Sequence, residues 1–358
     1  MIPSNKVYLP PKEEYEAYLD EIWDSGWVTN NGELIQTLER RLAKAFDVEY
    51  VRIVANGTLA LQLALRVMNL QGDVVTTPFS YVATTSALIW ETNCTPVFAD
   101  VSPDTFNLSP ERVEEAITEE TCALLPTHVF GVPCDVNALR DIAEAHDLAV
   151  IYDAAHACGA TLQGRSLLAY GNLSAVSFHA TKLLHTVEGG ALITDDPATA
   201  EKVDLLRAFG HEGPRYRISG INAKNSEFHA AMGLCLLPRL SAFIKQRRTM
   251  YRLYRSELEG LPLSFQHIRD DCGYNYAYFP VLFESHQAML DVKSGLAEKE
   301  IYARRYFSPS LNKLPYIEAK SCPTAEDISS RILCLPFFQE ITEDEVLRVT
   351  SSIRTILT

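Results

Sequence analysis

Short apolar runs at 51–54, 73–77, 96–98, 124–126, 149–152, 175–178 and 191–194 alternate with stretches of helical character. This alternation constrains the fold more than any other feature of the chain. Parallel strands need crossovers long enough to hold a helix. The pattern therefore predicts a mostly parallel sheet between two layers of helices, with any ligand site at the carboxyl ends of the strands. The helical signals are local ones. Leu34, Ile35, Leu38, Leu42 and Phe46 fall on one stripe while Glu39, Arg40, Arg41 and Lys44 lie elsewhere, which predicts an amphipathic helix over Glu33 to Phe46. Ser109-Pro110-Glu111 sets a capping residue before a proline at the first helical position. Asp135 can cap a helix that buries Val136, Leu139, Ile142 and Ala143.

Around Pro238 this rhythm gives way to a basic, tyrosine-rich helical stretch and then to less regular strands, helices and loops. A chain of 358 residues that is 47% hydrophobic can bury a large core and usually forms more than one lobe. The expected organisation is a large domain over residues 1–238 and a smaller α+β domain over 239–358. The latter closes with a capping box, Thr342 to Glu345, leading a helix with Val346, Val349, Ile353 and Leu357 along one side. The net charge of -14, without a Lys/Arg-rich block, removes nucleic acid from the expected partners. The first residues lack the apolar region of a signal peptide and no apolar run approaches a membrane span, so a soluble cytoplasmic protein with no membrane partner is expected. The eight cysteines stand singly, without a Cys-x-x-Cys pair or zinc-like histidine spacing, which predicts buried thiols and no metal.

Three segments carry residues suited to chemistry. Ala55-Asn56-Gly57-Thr58 follows a strand and opens a helix, where free amide groups, a hydroxyl and the positive end of the helix dipole suit a phosphate; a plain threonine N-cap reads the same way. The strand 149–152 runs into Asp153, followed by small residues and His156. Such a carboxylate can keep a pyridine nitrogen protonated, or simply cap a turn. Ser177-Phe178-His179-Ala180-Thr181-Lys182 sets a lysine beyond the next strand, either a solvated surface cation or an amine whose pKa burial lowers enough for Schiff-base chemistry.

Taken in order, these segments resemble the DegT/DnrJ/EryC1/StrS sugar-aminotransferase family, pyridoxal-phosphate enzymes of the aspartate-aminotransferase (type I) fold. The likeness extends from Trp27-Val28-Thr29-Asn30-Asn31-Gly32 through Pro78-Phe79-Ser80-Tyr81-Val82-Ala83-Thr84 to Gly220-Ile221-Asn222-Ala223-Lys224. It implies that Lys182 carries pyridoxal phosphate as a Schiff base, that Asp153 pairs with the pyridinium nitrogen and that His156 lies near the ring. It also implies that Gly57, Thr58 and Ser177 bind the phosphate, that Tyr81 covers the ring face and that Asn222 reaches the phosphate from a neighbouring subunit. A homodimer with composite sites follows. On pattern alone Tyr81 is equally a core tyrosine and Asn222 a turn residue.

The implied reaction moves an amino group from L-glutamate to a nucleotide-linked keto sugar by way of pyridoxamine phosphate, with Lys182 as anchor and proton shuttle. A dehydrating branch of the family carries histidine at the lysine's position; Lys182 here favours transamination, and His179 does not replace it. Val187 departs from the pattern, since many relatives place glycine before the Glu188-Gly189-Gly190 step, and a different loop backbone is expected there. Among substrates the resemblance points to dTDP-4-keto-6-deoxy-D-glucose, aminated at C4 for O-antigen lipopolysaccharide, with the 3-keto isomer as the alternative. Thr29, His185, Arg304 and Tyr306 are candidate substrate contacts, and adjacent Arg304 and Arg305 read equally as an exposed face.

Overall fold

The structure is a computed structural model and describes residues 1–90 and 93–357. Its central sheet comprises β1 (Tyr50–Val54), β2 (Gly72–Thr76), β3 (Cys94–Phe98), β4 (Thr121–Leu125), β5 (Ala149–Asp153), β6 (Leu173–Ser177) and β7 (Gly190–Thr194). All the expected strands are present, in the spatial order β1-β7-β6-β5-β4-β2-β3. From β3 to β6 the neighbours run parallel, whereas β7 is antiparallel to both β6 and β1. The exception has a local cause. Residues 178–189 form no helix, so the chain leaves β6 through a loop and returns in the opposite direction. That loop carries Lys182.

Helices α1 (Lys12–Ser25), α2 (Glu33–Phe46), α3 (Gly57–Val67), α4 (Val82–Trp90), α5 (Pro110–Ala116), α6 (Val136–Ala145), α7 (Pro197–Leu206) and α8 (Glu227–Leu236) surround the sheet. The period of the strands divides the core in two. Val176 and Ile193 pack with the α2 stripe, while their chain neighbours Ala175 and Leu192 face Ala60, Leu61 and Ala64 of α3. Asp135 caps α6 by accepting from Ala138 N–H, 3.1 Å. Ser109 occupies the N-cap of α5 without capping it, because its hydroxyl bonds to Glu111, 2.6 Å.

Beyond α9 (Leu240–Glu257), the short strands β8 (Leu263–Ser264), β9 (Pro280–Phe283) and β10 (Ile332–Cys334) form a second, antiparallel sheet. With α10 (His286–Glu298), α11 (Pro323–Arg331) and α12 (Glu343–Leu357) they enclose a core of their own, including Tyr254, Phe279, Val281, Val292 and Ile353. The capping box of α12 is formed reciprocally by Thr342 and Glu345. Two features cross between the units. Ile2 bridges to Ile301 and is buried in the C-terminal core. In the other direction Cys272–Gly273 pairs with Thr161–Leu162, and Asn275 donates to the His156 and Cys158 carbonyls, which straps residues 272–278 across the larger unit. No helix among the described residues is long and apolar enough to cross a membrane.

Candidate active site

The strands of the parallel sheet end around one cavity of about 520 Å³. Asp153 is the last residue of β5, Ser177 the last of β6, and Gly57 the first of α3 after β1, so three separate segments converge there. Gly57, Thr58, Tyr81, Asp153, His156, Ser177 and Lys182 all line this cavity, as do Arg304 and Tyr306 from the C-terminal unit.

Asp153 is buried, and its carboxylate is held at both oxygens. Oδ2 accepts from the Thr84 hydroxyl at 2.6 Å and Oδ1 from the Ala155 N–H at 3.1 Å; Ser80 in turn bonds to Thr84. Burial nevertheless raises its pKa above the ordinary aspartate range, against the pull of these two bonds and of Lys182. A cationic N–H partner is what such a carboxylate lacks. His156 presents the complementary group. Its Nδ1 accepts the Phe130 N–H at 3.1 Å, which puts the ring proton on Nε2, and burial together with Lys182 keeps the imidazole neutral, with its pKa well below the usual value.

The lysine loop is closed by a turn in which the Lys182 N–H donates to the His179 carbonyl, 2.8 Å. Lys182 Nζ donates to the Tyr278 hydroxyl at 3.3 Å. Desolvation lowers the pKa of this ammonium, with Asp153 the largest opposing influence. Val187 takes φ +67°, the left-handed conformation that glycine adopts freely, so the backbone at this position is of a kind a glycine would take. Gly190 is required sterically, because a Cβ there would lie 2.5 Å from the Asn56 carbonyl carbon.

At the start of α3 the capping is done by Asn56, whose Oδ1 accepts from Leu59 N–H at 2.9 Å. Thr58 is thereby released from the capping role the sequence also allowed, and it lines the cavity. Helix geometry leaves the amide groups of Gly57 and Thr58 without intrahelical acceptors. A Cβ on Gly57 would come within 2.9 Å of Ser177 Cβ, so the cradle between the helix start and Ser177 is closely fitted.

The remaining candidates divide. Arg304 donates to the Tyr306 hydroxyl, 3.0 Å, at the cavity edge, whereas Arg305 turns away to the Ser329 and Ser330 carbonyls. His185 does not line the cavity, since both ring nitrogens are engaged, Nε2 with the Tyr8 carbonyl at 2.9 Å and Nδ1 with Val187 N–H at 3.2 Å. Thr29 and Asn222 are exposed outside it, with Asn222 Oδ1 accepting from Lys224 Nζ at 2.8 Å. Lys224 borders a second, open hollow of about 560 Å³ whose cations Arg52 and Arg207 are already paired with Glu39 and Asp204. Sequence reasoning missed Thr84, which holds Asp153, and Thr127, Glu188 and Tyr278, which line the cavity. Thr84 lay within the 78–84 motif and could have been found there; Tyr278 belongs to no motif.

The topology, a mostly parallel sheet with a lysine, an aspartate and a helix terminus gathered at its strand ends, is shared with solved sugar aminotransferases. The chain belongs to the DegT/DnrJ/EryC1/StrS aminotransferase family, matched over residues 11–354, whose members depend on pyridoxal phosphate. It is 40% identical to a dTDP-4-amino-4,6-dideoxy-D-glucose transaminase of Shigella dysenteriae, covering 97% of each chain. An Escherichia coli transaminase of the same name is 34% identical, over 98% of this chain and 97% of that one. Among solved structures, DesI in the presence of its TDP-sugar product superimposes with a TM-score of 0.94 at 33% identity, covering 99% of this chain and 92% of that one. The transaminase assignment that the resemblance implied therefore stands.

Proposed function

We propose that this aminotransferase transfers the amino group of L-glutamate to C4 of dTDP-4-keto-6-deoxy-D-glucose, yielding dTDP-4-amino-4,6-dideoxy-D-glucose for O-antigen synthesis. The 40% identity to the Shigella dysenteriae transaminase across nearly the whole of both chains carries this reading. The cavity is consistent with the cofactor. It offers a buried carboxylate short of a cation, a neutral imidazole with its proton on Nε2, a buried amine and a helix-terminal anion cradle.

Pyridoxal phosphate, when bound, supplies an electrophilic carbonyl and a ring that accepts electrons. Gly57, Thr58 and Ser177 would hold its phosphate through amide and hydroxyl donors. Asp153, fixed by Thr84 and Ala155, would keep the ring nitrogen protonated. His156, with its proton on Nε2, would donate to the ring oxygen. Lys182 would anchor the cofactor and, once its amine is free, would take the α-proton of the amino-acid donor; burial lowers its pKa in the direction a base requires. Arg304, steadied by Tyr306, is the cation available for a carboxylate or diphosphate of a substrate.

Asn222 and Thr29 act from a second copy of the chain, in a homodimer with composite sites. Both are exposed and outside their own cavity, and large apolar side chains such as Trp23, Trp90 and Tyr216 are exposed as well. Lys182→Arg is expected to abolish turnover and borohydride trapping of the cofactor; an active variant would overturn the mechanism. Incubation with glutamate and a panel of dTDP-, UDP- and GDP-linked keto sugars, with NMR location of the new amine, tests the substrate. Amination at C3, or of another nucleotide sugar alone, would overturn the C4 assignment. Mixing Lys182→Arg protein with Asn222→Ala protein should regain activity if the sites are composite.

A further inference from the structure

The C-terminal unit contributes an atom to the lysine's immediate surroundings. The hydrogen bond to the Tyr278 hydroxyl, 3.3 Å, is the only one that Lys182 Nζ makes among the described residues. The phenol cannot move freely. Its ring lies against His156 at 4.7 Å, Phe130 at 5.4 Å and Tyr306 at 5.9 Å between centroids. The strap that carries it is pinned just upstream, where the Tyr274 hydroxyl donates to the Phe130 carbonyl at 3.1 Å, and it continues directly into β9.

We propose that Tyr278 is the positioning residue of Lys182, holding the amine in one place in both of its protonation states and so tying the lysine to the placement of the C-terminal unit. The inference rests on Lys182 being the cofactor lysine. An ammonium donates to the phenol oxygen, and a neutral amine accepts the phenol O–H; tyrosine is a side chain able to do both. Burial holds the Tyr278 phenol above the ordinary tyrosine range, so the O–H persists throughout the working pH range. Hydrogen bonds to charged groups are the stronger ones, and the phenol therefore favours the ammonium, against burial, which favours the neutral amine. The other titratable groups facing Lys182 are Asp153, His156 and Cys158 from the segment beginning in β5, Tyr81 ahead of α4, and Tyr306 with its partner Arg304.

Tyr278→Phe keeps the ring stack and removes this single bond. In the cofactor-free enzyme, the rate at which a small amine-acylating reagent labels Lys182, followed by peptide mass spectrometry across pH, should titrate at a lower pH in the variant than in the wild type. In the loaded enzyme kcat should fall by roughly ten- to a hundredfold, with KM for both substrates within about twofold, as expected when a reacting group is misplaced and substrate binding is untouched. An unchanged labelling midpoint would overturn the proposal, as would an unchanged kcat. Wild-type protein containing 3-fluorotyrosine, a poorer acceptor, tests the same bond without substitution and should shift the midpoint in the same direction. The labelling needs neither cofactor nor substrate, so it distinguishes failure of this inference from failure of the catalytic reading, which Lys182→Arg addresses.

Discussion

Asp153 illustrates what a reactive residue costs the fold. Burial, the larger influence, raises its pKa in the folded chain, and the Thr84 hydroxyl and Ala155 N–H recover only part of this. A carboxyl whose folded pKa exceeds its unfolded value binds its proton more tightly when folded. Its ionisation therefore opposes folding fully above the folded pKa, and the penalty disappears as pH falls below the unfolded one. Asp153→Asn removes that penalty. Calorimetry of the cofactor-free variant at neutral pH should show a stability gain that disappears as pH falls below the ordinary aspartate range. Fluorescence titration should show pyridoxal phosphate bound tenfold or more weakly, since the ring nitrogen then faces a neutral amide in place of a buried carboxylate. At this scale the sequence was readable wherever a residue sat in a motif, as Asp153 and Lys182 do. It was not readable where a side chain's role depends on what already occupies its neighbour. Thr58 could be separated from a plain cap only after Asn56 was seen capping α3, and His185 was eliminated by the carbonyl of Tyr8, far away in sequence.

The elements were legible for a different reason. Strands buried on both faces must be apolar throughout, and the α2 stripe has to repeat every three to four residues, so both leave periodic marks that survive without tertiary information. The strap over residues 272–278 leaves none, because its pairing partner lies in another unit and its own strand is Cys272–Gly273 alone. The start of α3 combines both cases: the motif marks its position, and its fit against β6 emerges only in three dimensions. Gly57→Ala would put a methyl group 2.9 Å from Ser177 Cβ and push the helix start off the cradle. The expected result is weaker binding of pyridoxal phosphate by about tenfold or more, with the far-ultraviolet circular dichroism spectrum unchanged. Pyridoxal lacking the phosphate should bind to wild type and variant alike, so calorimetric titration with both compounds locates the defect at the phosphate.

Across the whole molecule, a buried ion pair joins elements far apart in sequence. Arg207, just after α7, contacts Glu39 of α2 and Asp204 at 2.6 Å each, and donates to the Ile53 carbonyl of β1 at 2.7 Å. Arg207→Leu leaves Glu39 charged and buried, and urea denaturation should register a loss of about 3–5 kcal/mol; adding Glu39→Leu should restore much of it. The extended N-terminal residues act over a similar span without charge. Ile2 is buried in the C-terminal core, the Asn5 side chain donates to the Thr181 carbonyl at 3.0 Å, and the Tyr8 carbonyl receives His185, so the segment stitches both ends of the lysine loop to the smaller unit. Deleting residues 1–8 would yield a polypeptide with every cavity residue intact and the lysine loop unstitched. Such a shortened product should still capture pyridoxal phosphate, yet be digested by chymotrypsin within the lysine loop, which holds Phe178, Leu183 and Leu184, faster than the full-length enzyme.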